Sequence, residues 1–151
     1  MSFKTWLRNG WLTPHKPSRE EILDLLALVD RDLLACRTPN LAVDWRFNIA
    51  YNAALQAATA ALAAAGYRAA REAHHLRVIQ SLAFSIGADS QFVGQFDAFR
   101  KKRNLSSYEF GGRISNQEAE EMATLAEDLR RRVREWIKRK FLPLIAQNGL
   151  N

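Results

Sequence analysis

Arg103 is the residue from which a chemical reading of this sequence starts. It closes the run Arg100-Lys101-Lys102-Arg103 and is followed by Asn104-Leu105-Ser106-Ser107-Tyr108. At about 100° per residue, Phe92, Phe96, Phe99 and Arg103 fall within about 60° of one another on a helix. The ordinary reading of such a stripe is an arginine snorkelling past apolar neighbours. The sharper one is an arginine held by a rigid helix at the lip of a cleft, its planar fork of donors suited to a phosphate. On an unbroken helix Tyr108 would stand about 140° around from Arg103. Ser106-Ser107 and Gly111-Gly112 predict a helix that frays into a turn near Tyr108, bringing both side chains over one site.

Asp44, Asn48, Tyr51 and Asn52 form a polar stripe on a helix otherwise made of alanine, leucine, phenylalanine and tryptophan. Buried amides and carboxylates need partners. The stripe either cross-links helices or faces Arg103, where it would orient the guanidinium or a bound phosphate. Arg130-Arg131-Arg132, Arg134 and Lys138-Arg139-Lys140 make a second basic run. A solvated face is its default reading and a phosphate-binding surface its alternative, with Arg131 and Arg134 as candidate contacts beside Arg100, Lys101 and Lys102. His74-His75 does not have the spacing of a metal pair, because adjacent helical positions diverge by about 100°. No metal or cofactor is expected. A Walker loop, a GxSxG elbow and a dinucleotide fingerprint are all missing from the sequence.

The elements that must carry these residues read as helices. Ser18 and Glu21 form a capping box, followed by Ile22, Leu25, Leu26, Val29 and Leu33 at helical spacing and stopped at Thr38-Pro39-Asn40. A second, alanine-dense helix is expected from about Leu41 to Ala65, with Gly66 as its left-handed cap. A third covers about Ala70 to Ile86, and a fourth, capped by Asp89, about Ser90 to Asn104. Ser115-Asn116-Gln117-Glu118 is a second capping box. It opens a long helix with Met122, Leu125, Leu129, Val133, Trp136 and Ile137 on one stripe, stopped by Pro143. The expectation is an all-α, single up-and-down bundle of about five helices over residues 18–145, preceded by a loosely tethered N-terminal arm, 1–17.

Length and composition agree with one soluble domain. The chain has 151 residues, 48% hydrophobic and 25% charged, enough to bury a core without disulfides or metal. Its single cysteine, Cys36, excludes a disulfide framework within the chain and fits a cytoplasmic setting. A net charge of +6 makes a polyanion a reasonable partner. The N-terminus does not read as a signal peptide. The uncharged stretch Phe47–Tyr67 carries Asn48, Asn52, Gln56 and Thr59 among its alanines, so a packed helix is expected there and no membrane span.

Taken together, these segments resemble the HEPN superfamily (higher eukaryotes and prokaryotes nucleotide-binding domain) over about Ser18 to Ile137. The resemblance includes Ala64-Ala65-Gly66-Tyr67-Arg68 and His74-His75-Leu76-Arg77-Val78-Ile79. Its most diagnostic part is the polar motif, an arginine, commonly an asparagine, a short spacer and a histidine. Arg103-Asn104 matches the first half, and Tyr108 stands in the histidine position, as in stand-alone bacterial members of similar sequence. The resemblance implies a homodimer that places both motifs in one cleft. It also implies metal-independent RNA cleavage in toxin–antitoxin or defence systems, and a nucleotidyltransferase-type antitoxin as a partner, with Tyr108 the tyrosine it would modify. In that chemistry a 2′-hydroxyl attacks the adjacent phosphate, a histidine moves protons and an arginine stabilises the phosphorane. A phenol, with an ordinary pKa of about 10, is a poor base at neutral pH. Two classes therefore stay open: a ribonuclease working through Arg103, Asn104 and Tyr108, or a non-catalytic dimer that binds nucleic acid, nucleotide or a protein.

Overall fold

A computed structural model of the chain describes residues 2–108 and 114–140, with side chains as far as Asn104 before the gap. Among the described residues the helical periodicity of the sequence becomes six α-helices: α1 (Phe3–Arg8), α2 (Arg19–Ala35), α3 (Val43–Ala64), α4 (His74–Gln80), α5 (Ser90–Tyr108) and α6 (Asn116–Lys140). Two short strands, β1 (Leu12–Pro14) and β2 (Tyr67–Ala69), pair antiparallel with Leu12 opposite Ala69 and Pro14 opposite Tyr67. The fold is thus mostly helical, as expected, with a small ribbon that three-residue strands are too short to announce by alternation.

The alanine-dense α3 is the axis of the molecule. Ala50, Ala53, Ala54, Ala57, Ala58, Ala60 and Ala61 are all fully buried on it. Side chains this small let neighbouring helices approach closely, and α2 and α6 are the main neighbours of α3. Gly66 (φ 99°) takes the left-handed conformation beyond its C-terminus. The amphipathic stripe of α6 packs Met122, Leu129, Val133 and Ile137 inward, each fully buried. Arg37, at the end of α2, forks between Glu120 (2.8 Å) and Glu127 (2.9 Å) of α6.

Both capping boxes sit at helix starts. At Ser115 the box is reciprocal: the hydroxyl accepts from the Glu118 N–H (3.0 Å), and the Glu118 carboxylate accepts from the Ser115 N–H (3.0 Å). At Ser18 one half forms, the hydroxyl accepting from the Glu21 N–H (3.0 Å). The Glu21 carboxylate turns instead to His15 Nε2 (2.7 Å) and towards Arg68 (3.7 Å), tying the start of α2 to β2.

Three expectations need correction. The N-terminal segment is not loosely tethered: Trp6 and Leu12 are buried, and Phe3, Trp6, Trp11, Tyr67 and Phe84 form an aromatic cluster capped by the Arg77 guanidinium, 3.6 Å from the Trp11 ring centre. Burying that much aromatic surface outweighs the entropy of a free arm. The third helix is shorter than Ala70–Ile86, because the Ala70 N–H continues the ribbon by donating to the Trp11 carbonyl (2.8 Å) and Ala73 enters α4 in the left-handed conformation (φ 54°). A 3₁₀ turn, Ser81–Ala83, replaces its end. The fourth helix is longer than Ser90–Asn104: α5 continues through Ser106-Ser107 to Tyr108, and a turn beyond Tyr108 lies outside the described residues.

Candidate functional site

The aromatic stripe of α5 interlocks with α3. Phe99 packs against Phe47 (ring centres 5.7 Å apart) and Phe96 against Tyr51 (5.9 Å), both edge-on. One helical step further along the same stripe, the Arg103 guanidinium lies over the Tyr51 ring, 4.9 Å from its centre. This is cation–π distance, on a ring that is fully buried. Arg103 therefore ends the apolar stripe as expected, and its platform is a residue of the polar stripe on α3.

Tyr51 also meets α4. Its hydroxyl is 3.3 Å from His75 Nδ1, and the two rings are 6.1 Å apart. Burial pushes the Tyr51 phenol up to about 12, against the opposing pull of Arg103 and Arg100. Burial also pushes the His75 imidazole below its ordinary value, with Arg103, His74 and Arg100 acting in the same direction. The result is a neutral phenol and a neutral imidazole in contact beneath two guanidinium-bearing positions of α5. Such a group offers hydrogen-bond donors and positive potential to an anion.

The other expected residues divide around this centre. Asn48, one turn before Tyr51, has a buried Oδ1 with no partner among the described residues. Asp44 lies in the first turn of α3, and Asn52 faces solvent; neither is placed in the Tyr51 cluster by a described contact. Asn104 is exposed on α5. The Tyr108 side chain lies outside the described residues. With α5 continuous, no turn folds its backbone towards Arg103.

Each of the five basic residues expected to contact nucleic acid has a carboxylate neighbour within its own chain. Arg100 (2.7 Å) and Lys101 (3.5 Å) pair with Asp97, and Lys102 pairs with Glu118 (3.1 Å). Arg131 pairs with Asp128 and Glu135, and Arg134 lies 3.6 Å from Asp30. The two basic runs also form separate surfaces. Lys102 touches the start of α6, whereas Arg131 lies 13 residues beyond Glu118, roughly 20 Å along the helix at 1.5 Å per residue.

A groove of about 640 Å³ lies between α5 and α6, lined by Phe92, Leu125 and Thr124 together with Glu120, Glu121 and Asp128. Three carboxylates make it unsuited to a phosphate backbone, and it includes none of Tyr51, His75 and Arg103. Among the described residues, no group of His, Cys, Asp or Glu side chains is arranged to hold a metal ion. No helix described is long and apolar enough to cross a membrane.

His75 is the site residue that sequence reasoning missed. Its spacing to His74 argues only about metal binding, and its contact with Tyr51 spans 24 residues. No local pattern signals a pairing of that kind. No known family, curated protein or solved structure matches the chain.

Proposed function

We propose that this chain is an RNA-directed protein of the HEPN type. Arg103 engages a backbone phosphate, and two copies of the chain close the cleft around it. The activity is a slow, metal-independent endoribonuclease reaction with Arg103 as the charge-stabilising group. The observation that carries this reading is the seat of Arg103: a guanidinium fixed over a buried tyrosine ring, beside Arg100 and a neutral His75. The helical architecture and the Arg103-Asn104 half of the motif support it further.

A second reading, a binding module without catalysis, is favoured by two features. Burial holds the Tyr51 phenol in its protonated form, so it cannot serve as a base at neutral pH, and the family's histidine position is itself a tyrosine, Tyr108. Single-turnover cleavage of a labelled single-stranded RNA in EDTA separates the two. The wild type should cleave slowly, and Arg103→Ala should not cleave, since removing a main electrostatic stabiliser costs on the order of 10²–10³-fold. Tyr108→His should raise the rate at pH 7 by roughly tenfold or more, because an imidazole titrates near neutrality. If wild type and Tyr108→His bind RNA but are both inert, the binding-module reading replaces the nuclease.

A further inference from the structure

Tyr51 is locked from three sides. Phe96 packs on its ring edge-on, Arg103 covers the ring, and the hydroxyl meets His75 Nδ1 at 3.3 Å. The ring is fully buried, so its hydroxyl proton needs an acceptor inside the protein. Among the described residues, His75 Nδ1 is the acceptor within reach. The reverse arrangement, Nδ1–H donating to the phenol, would leave the phenol proton without one. A neutral imidazole that accepts at Nδ1 carries its proton on Nε2.

We propose that Tyr51 holds His75 as the Nε2–H tautomer, and that His75 Nε2 and the Arg103 guanidinium together donate to the non-bridging oxygens of an RNA backbone phosphate. The assignment rests on the RNA-directed reading above and names the donors of that site. It places His75 in charge stabilisation and not in proton abstraction, because the ring nitrogen left over from the Tyr51 contact already carries a hydrogen. Neutrality suits the position. Arg100 and Arg103 on α5 face the imidazole together with His74 on α4, and Asp97, the one acid of the cluster among the described residues, is engaged by Arg100 and Lys101. An imidazolium there would repel both guanidinium groups.

Long-range ¹H–¹⁵N spectra of the full-length, uniformly labelled protein at pH 7 read the tautomer directly. The expected result is a neutral His75 protonated at Nε2, whose resonances shift when inorganic phosphate or a short single-stranded RNA is added. An Nδ1–H tautomer or an imidazolium overturns the proposal. In RNA titrations His75→Ala should weaken binding roughly tenfold, whereas His75→Gln, whose carboxamide N–H replaces the Nε2 donor, should stay within about threefold. Equal losses in both variants, or none in His75→Ala, also overturn it while leaving RNA binding intact. Phosphate shifts at His75 in a protein that binds no RNA would instead sink the RNA reading and leave the locked tautomer standing.

Discussion

Tyr51, His75 and Arg103 illustrate how much one buried hydroxyl can set at the scale of single residues. Burial lowers the affinity of His75 for a proton, and Arg103, His74 and Arg100 lower it further. The folded state therefore prefers the neutral ring. Above the ordinary value of 6.5 this preference costs nothing, because the unfolded chain is neutral there too. As pH falls below 6.5, the unfolded chain takes up a proton that the folded chain resists, and stability is lost. Urea midpoints should accordingly fall between pH 7.5 and pH 5.5. His75→Gln, which does not titrate, should flatten part of that slope. Parallel pH slopes in the two proteins would mean that His75 is not the group responsible.

At the scale of elements, the N-terminal segment behaves as part of the core. β1 pairs with β2 between α3 and α4, and α1 delivers Trp6 against Trp11 and Phe84 at ring separations of 5.7 and 5.0 Å. Because α4 carries His75 and adjoins β2, this packing also supports the site. Trp6→Ala should cost about 3–5 kcal/mol, the range for emptying a buried tryptophan position, read as a lower urea midpoint at unchanged slope. A loss below about 1 kcal/mol, the level of ordinary surface changes, would return residues 3–14 to the status of an arm. The same packing explains why the third helix is shorter than its apolar pattern. Leu76 and Ile79 have helical spacing, but strand pairing at Tyr67–Ala69 and the left-handed Ala73 consume the residues before His74.

At the scale of the whole molecule, charge and assembly decide how the site would be used. The basic residues of α5 and α6 are interleaved with Asp97, Glu118, Asp128, Glu135 and Asp30. The exposed pairs among these, such as those of Arg131 with Asp128 and Glu135, are worth little, so a polyanion can compete for them. The stripe Phe92, Phe96 and Phe99 is the apolar surface the sequence offers near a dimer cleft; Phe96 and Phe99 are spent inside the protomer on Tyr51 and Phe47, while Phe92 is half-buried and lines the groove between α5 and α6. The exposed large apolar side chains among the described residues are Leu34 and Trp45, near the α2–α3 connection. A shared cleft requires two copies, and two-fold pairs are the commonest closed assembly. Light scattering at micromolar concentration should give twice the chain mass of 17.2 kDa. A monomer that still cleaves RNA would remove the shared cleft from the mechanism and leave Arg103 in place.

The helices were readable because their signals are local. Ser18 with Glu21, Ser115 with Glu118, the apolar stripes and Gly66 each lie within a turn or two of the boundary they mark, and α2, α3 and α6 form where those signals stand. The stripe that places Arg103 after Phe96 and Phe99 is equally local, as a consequence of helical repeat. Tertiary packing alone decided the rest. Three-residue strands carry too little pattern to be seen. Which face of α3 would receive Arg103, and that His75 would arrive beside Tyr51, depends on how α3, α4 and α5 cross. Those crossing angles are set by close packing of whole surfaces, which no residue spacing along the chain encodes.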